Sequence, residues 1–221
     1  MEQVAVASEP GTLRLAALPN GRLLTDALLI VLGAGLTAAS AQITIPLPFT
    51  PVPITGQTFS VLLLGASLGT LRGGASILLY VLLGMAGAPI YADAAHGWST
   101  ITGPSGGYLV SFPFASALTG RLAERSWDRR FSSAIGAMLT GNVLIYLIGL
   151  TWLATALRTN LETTLKLGLY PFVPGDIFKL YLAAAALPAA WRLIHRRSRT
   201  GARHREPVPV DVFLARLEHR N

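Results

Sequence analysis

Six long apolar stretches, parted by segments that hold the basic residues, leave this chain few folds to choose from. A helix needs about 20 residues to cross the hydrocarbon core of a bilayer, and fewer where it is short or kinked. The stretches fall at about 23–45, 55–71, 75–88, 106–122, 134–157 and 172–194. Composition agrees: 52% of residues are hydrophobic and 13% charged, where a soluble domain carries about 25% charged residues. The expected fold is an all-α integral membrane protein, one bundle of six transmembrane helices over residues 23–194. The second, third and fourth stretches are short, so unevenly buried helices are expected.

Basic residues orient the bundle, because cytoplasmic loops carry an excess of Lys and Arg. With six spans and the N-terminus inside, Arg14, Arg22, Arg72, Arg121, Arg125, Arg129 and Arg130 share one side with the C-terminal arginines. Only Arg158 and Lys166 fall on the other side. Both termini are thus placed in the cytoplasm, and the net charge of +7 reads as topology, not as a nucleic-acid surface. Residues 1–22 lack the charged start and apolar run of a signal peptide and read as a cytoplasmic tail. Residues 195–221 form a second, basic tail suited to anionic lipid. Within it Val210, Phe213, Leu214 and Leu217 fall at i, i+3, i+4 and i+7, the pattern of a short amphipathic helix lying on the membrane or a partner. Cysteine is absent, which excludes disulfides, a thiolate nucleophile and Cys-ligated metal.

The outer side collects three unusual loops. Residues 46–55 hold Pro46, Pro48, Pro51 and Pro53 and cannot be helix interior, so they are expected to run extended. Residues 89–105 are glycine-rich and irregular, and residues 158–171 form the third loop. Facing them, Asp176 and Lys179 open the sixth span. Three residues apart, they share one helix face. An ionisable residue within a span costs about 2.5–3.5 kcal/mol on insertion scales, so it faces a partner, a cavity or a ligand. One reading is a pair that only ties helices together. The other, favoured here, is a polar-ligand site, since Tyr91, Trp98, Tyr108 and Phe172 converge on the same face with the glycine loops.

Other residues have two readings each. His96 is a wet loop histidine or a ligand contact. Gln57 bonds a helix end or meets the ligand under a lid. Tyr91 and Trp98 are interfacial anchors or pocket walls. Asp93, Gly106 and Tyr108 are counted with the candidate contacts. Tyr80 and Tyr146, deeper in their spans, read as packing residues with satisfied hydroxyls. Asn142 reads as an interhelical hydrogen bonder.

Four blocks occur in order: Pro51-Val52-Pro53-Ile54-Thr55-Gly56-Gln57; Gly84…Gly87-Ala88-Pro89-Ile90; Gly103-Pro104-Ser105-Gly106-Gly107-Tyr108; and Pro174-Gly175-Asp176…Lys179. On these blocks the chain resembles the biotin-specific substrate-binding subunits (S components, BioY family) of energy-coupling factor transporters, over about residues 25–194. The resemblance implies a six-helix membrane protein that binds biotin with high affinity from outside. It also implies two partners, a transmembrane coupling protein and a pair of cytoplasmic ATPases. No Gly-x-x-x-x-Gly-Lys-Ser/Thr phosphate loop occurs in the chain itself. The implied activity is transport, not catalysis, and no cofactor or metal is implied.

Residue by residue, the resemblance marks Asp176 and Lys179 as ligand-contacting. A carboxylate suits the ureido N–H donors of biotin. The lysine either meets the valerate carboxylate or chiefly serves Asp176. The family tends to carry an Asn-Gly-Gly run before its Gly-Pro, whose asparagine helps bind the ureido group. Here Ala95-His96-Gly97 stands there, so Asp93, His96 or backbone groups would substitute. An Ala-x-x-x-Ala face on the first helix docks the coupling protein in the family, which points to Ala34 and Ala38, although small residues four apart also serve internal packing.

Three rivals are weighed. An S component for another vitamin shares the architecture but not the Pro-Gly-Asp…Lys block. An intramembrane aspartyl protease would pair Asp93 with Asp176, but Val173 stands where that class has the first glycine of Gly-x-Gly-Asp. In addition, Ala92 separates Tyr91 from Asp93. A structural scaffold leaves the burial of Asp176 without a reason.

Overall fold

The structure, a computed structural model, describes residues 11–18 and 23–203, the side chains of 195–203 aside. The expected amphipathic helix at Val210–Leu217 and most of the N-terminal tail lie outside the described residues. In order come α1 (Leu13–Ala17), α2 (Leu23–Ala41), β1 (Thr44–Ile45), β2 (Ile54–Thr55), α3 (Gln57–Leu68), α4 (Thr70–Met85) and α5 (Gly97–Thr102). They are followed by α6 (Gly106–Glu124), α7 (Phe131–Leu157), α8 (Leu161–Gly168) and α9 (Val173–Arg203). The fold is thus mainly helical. Three of the helices, Leu23–Ala41, Phe131–Leu157 and Val173–Ile194, are long and apolar enough to cross a membrane. The 12 residues of α3 reach about 18 Å at 1.5 Å per residue, well short of a hydrocarbon core of about 30 Å.

α6 lies at the centre, packed against α3, α4 and α7. Small residues make this possible. A Cβ on Gly65 would sit 2.2 Å from the Ser116 carbonyl oxygen, so the α3 and α6 backbones touch through it. Leu28, Leu32 and Leu36 of α2, Leu147 of α7 and Phe178 of α9 point outward, where lipid tails would meet them.

Two expectations need correction. The stretches at 55–71 and 75–88 part at residues 72–74 in the sequence, but α4 starts at Thr70 and contains all three of these residues. The turn falls instead at Gly69, whose φ of +87° an L side chain rarely adopts. Glu124 caps the new helix, its two carboxylate oxygens accepting the Thr70 N–H at 2.8 Å and the Thr70 hydroxyl at 2.9 Å. Gly73 serves close packing: a Cβ there would lie 2.8 Å from the Gly65 Cα. The outer loops are also less irregular than expected. Residues 89–105 contain a 3₁₀ turn (Ala92–Ala94) and α5, and residues 158–171 contain α8, capped by Asn160, whose side chain accepts the Thr163 N–H at 2.9 Å. Short helices satisfy backbone groups that would otherwise lie bare beside the membrane. The proline segment does run extended, clamped at its base by the antiparallel pairs Thr44–Thr55 and Ile45–Ile54. α6 runs unbroken through Pro113, and α9 continues past Ile194.

At the end of the bundle where α6 turns into α7, Asp128 is fully buried and accepts the Trp191 indole N–H at 2.5 Å. The Arg129 guanidinium lies 3.7 Å from the centre of the Trp191 ring. Burial pushes the Asp128 carboxyl above its ordinary value, against the opposing pull of the Trp191 hydrogen bond. A carboxyl raised in the fold adds stability below its unfolded pKa, and that contribution is lost as pH rises through the folded pKa. Asp128→Asn is therefore expected to raise the melting temperature in detergent at pH 8, where burial of the charged carboxylate outweighs the Trp191 hydrogen bond and the Arg129 guanidinium 3.8 Å away. No gain is expected near pH 4. Equal gains at both pH values would show that the charge is not the cause.

Candidate functional site

A cavity of about 350 Å³ opens among the proline segment, the 91–105 segment and the facing ends of α3, α6, α7 and α9. Its walls are mostly apolar, with Val52, Phe112, Ile145 and Phe172 among them, and its volume is that of a small-ligand pocket. The charged pair enters from the start of α9, and Gln57, Thr58 and Asp93 add polar groups from other elements. Asp176 sits there because Pro174 and Gly175 open the helix ahead of it, and a first-turn acid suits the positive end of the helix dipole.

The Asp176 side chain is nearly buried and well supplied with donors. Lys179 Nζ lies 3.3 Å from Oδ1 and also donates to Thr58 Oγ1 at 3.1 Å. Asn142 Nδ2 donates to Oδ2 at 3.2 Å, and the Tyr146 hydroxyl donates to the same oxygen. The pair is thus not isolated: α9 is tied to α7 and, through Lys179, to the start of α3. The Tyr146 ring stands edge-on to Tyr108 at 6.4 Å and 88°. Tyr108 is fixed in turn by donating to the Gly168 carbonyl at 2.9 Å.

A second aromatic group supports the cavity through Tyr91. Tyr91 is 1% exposed and donates to the Val81 carbonyl at 2.5 Å, its ring edge-on to Tyr80 at 5.6 Å. Burial pushes its hydroxyl up to about 12, so it stays a neutral donor. Gln57 donates to the Tyr80 hydroxyl at 2.6 Å and accepts from Thr55 at 2.9 Å. The segment bearing Tyr91 is stapled to the end of α2 by Gln42. Its Nε2 donates to the Tyr91 and Ile90 carbonyls at 3.0 and 3.3 Å, and its Oε1 accepts the Ala94 N–H at 3.3 Å. Gln42→Ala is expected to speed amide exchange across residues 90–95 roughly tenfold, the size of about 1.4 kcal/mol of lost hydrogen bonding, while α6 and α7 keep their rates.

Of the residues singled out in the sequence, Asp176, Lys179, Tyr91, Asp93, Gln57 and Tyr108 line the cavity. His96 and Gly106 are not among the lining residues. His96 is exposed, its Nδ1 3.1 Å from the Ala94 carbonyl oxygen. Gly106 is buried beneath α5, where a Cβ would lie 1.6 Å from the Ile101 carbonyl oxygen, so its role in the fold is close backbone approach. Asp93 lies on the exposed rim and accepts the Thr44 hydroxyl at 2.5 Å. Trp98 stands 64% exposed and is not among the residues that line this cavity. Thr58 and Tyr146 were not read as pocket residues, nor was Asn142 read as a partner of Asp176. The signal was present: Asn142 and Tyr146 are polar groups one helical turn apart in a mostly apolar span.

The expected docking residues lie on α2. Ala34 is 5% exposed and faces inward, and Ala38 is half-buried. The small residues that α2 turns outward are Ala27, Gly35 and Ala39, and a Cβ on Gly35 would touch nothing within 4 Å.

The sequence model of the BioY family matches residues 11–196. The chain belongs to the BioY family. A BioY relative from Pyrococcus horikoshii, a probable biotin transporter, is 39% identical over 165 residues, covering 75% of this chain and 93% of its own. The biotin transporter BioY of Rhizobium etli is 35% identical over 147 residues, covering 63% and 78%. The crystal structure of an S component for biotin from an ECF-type ABC transporter superposes with a TM-score of 0.70 at 25% identity, covering 78% of this chain and 94% of that one.

Proposed function

We propose that this protein binds biotin and mediates its uptake as the S component of an ECF-type transporter. Membership of the BioY family supports the reading, and one structural observation carries it: the hydrogen-bonded Asp176–Lys179 pair at the wall of a mostly apolar cavity. In this reading Asp176 and Lys179 meet the polar groups of biotin, apolar walls hold the ring and chain, and Tyr91, Gln57 and Tyr108 complete the pocket. Ala95, where the family has asparagine, lines the cavity. Asp93, which lines the cavity at its rim where His96 does not, is the proposed substitute acceptor.

The proposed topology has six spans with both termini cytoplasmic, so the pocket opens outward. The proposed partners are a transmembrane coupling protein and an ATPase pair. The outward small face of α2, around Gly35 and Ala39, replaces Ala34 as the proposed docking surface. The proposal includes no catalysis. As protease acids Asp93 and Asp176 would face each other, whereas each is engaged by other donors, Thr44 for the first and Lys179, Asn142 and Tyr146 for the second.

Calorimetric titration of the purified protein in detergent with biotin, thiamine and riboflavin tests the reading. Biotin is expected to bind tightly and the other two not at all. Tight binding of another vitamin without biotin would sink it.

A further inference from the structure

Asp176 carries its hydrogen bonds unevenly. Asn142 and Tyr146 both donate to Oδ2, while among the described residues Oδ1 meets Lys179, at 3.3 Å. Both α7 residues come from one face of a helix, so a single rigid element grips one oxygen of the carboxylate and leaves the other toward the lysine. Tyr146 is itself held by Tyr108, whose hydroxyl is anchored on Gly168, and so has little freedom to turn away.

Asn142 fits this role better than that of general helix glue. Its Oδ1 is buried with no hydrogen-bond partner among the described residues. An apolar side chain would avoid that unmet acceptor, so only the Nδ2 contact to Asp176 gives the amide a reason to be there. A small cavity of about 10 Å³ lies beneath, lined by Asn142, Asp176, Lys179 and Thr58 among others, too small for anything beyond a single water. No part of biotin fits it. Asn142 is outside the main cavity's lining, whereas Tyr146 is part of it.

We infer that Asn142 and Tyr146 are positioning residues of the ligand site: they clamp Asp176 by Oδ2 so that Oδ1 and the Lys179 ammonium are presented together to the polar end of the ligand. This inference rests on the biotin reading. It separates two tasks that the sequence could not, since α9 supplies the groups that meet the ligand and α7 supplies the geometry. It also makes α7 and α9 one unit at the pocket, so that a shift of one helix against the other would dismantle the site.

The test is a pair of double-variant cycles, read by biotin titration in detergent, with an infrared measurement on the ligand-free protein. Tyr146→Phe and Asn142→Leu are each expected to weaken biotin binding about tenfold. In an Asp176→Ala background, or Asp176→Asn if the alanine variant does not fold, either change is expected to weaken binding further by less than about twofold. A tenfold loss that persists without the Asp176 carboxylate would overturn the inference, because the residue would then act on the ligand or the fold directly. With ¹³C-labelled aspartate, the carboxylate stretching band that vanishes in Asp176→Ala is expected to move in frequency in Tyr146→Phe. An unmoved band overturns the clamp. The band needs no ligand, so a protein that shows the shift but fails to bind biotin refutes the biotin reading and leaves the clamp standing.

Discussion

Asp176→Asn is expected to weaken biotin binding by about 1.5–3 kcal/mol, roughly 10- to 150-fold, the scale of a hydrogen bond to a charged group. The amide keeps the size of the carboxylate but replaces one acceptor oxygen with a donor. In the fold, Oδ1 faces the Lys179 ammonium and Oδ2 takes both α7 donors, so an NH₂ group meets a donor whichever way the amide turns. If it turns toward Lys179, the oxygen that would be offered to the ligand is the one lost. Calorimetry on the variant beside the parent measures the loss, and a melting temperature within a few degrees of the parent shows that the bundle survives. Unchanged affinity would mean that Asp176 ties α7 to α9 and does not serve the ligand.

Much of this site was legible in the chain, for physical reasons. Asp176 and Lys179 stand out because charge within an apolar span is costly, and their i, i+3 spacing fixes one helix face before any coordinates exist. The proline segment could only be extended. The wrong readings came from glycine. A Gly-Gly pair after an arginine looks like a break, yet Gly73 lies within α4 because another helix presses its backbone there, and sequence alone cannot tell absent structure from a close crossing. The rotation of α2 was equally hidden. Ala34 and Ala38 differ from Gly35 and Ala39 by one residue, about 100° of turn, and only packing settles which pair faces out. Tyr146 and Asn142 escaped because a lone polar group in a span has many possible partners, and the partner here lies on a helix 30 or more residues away.

Two membrane-helix glycines give opposite expectations on this account. A Cβ on Gly149 would lie 2.5 Å from the Tyr108 ring, whereas one on Gly35 would meet open space. Gly149→Ala is expected to cost about 1–3 kcal/mol of stability, as overpacking does when neither side can give way. Tyr108 cannot retreat freely, because its hydroxyl is bonded to Gly168 and a Cβ on Gly168 would itself sit 2.6 Å from that hydroxyl. The displaced ring would push on Tyr146 and, through it, on Asp176, so biotin affinity is expected to fall by roughly tenfold along with the melting temperature. Gly35→Leu adds a side chain on the outward face of α2, so melting temperature and biotin affinity are expected to stay at parent values while co-purification with a membrane coupling partner is lost. Thermal unfolding and titration on both variants, with a pull-down from native membranes for the second, decide the matter. If Gly149→Ala leaves binding intact, the Tyr108–Tyr146 contact does not carry geometry to Asp176. If Gly35→Leu keeps its partner, docking uses another face of the bundle.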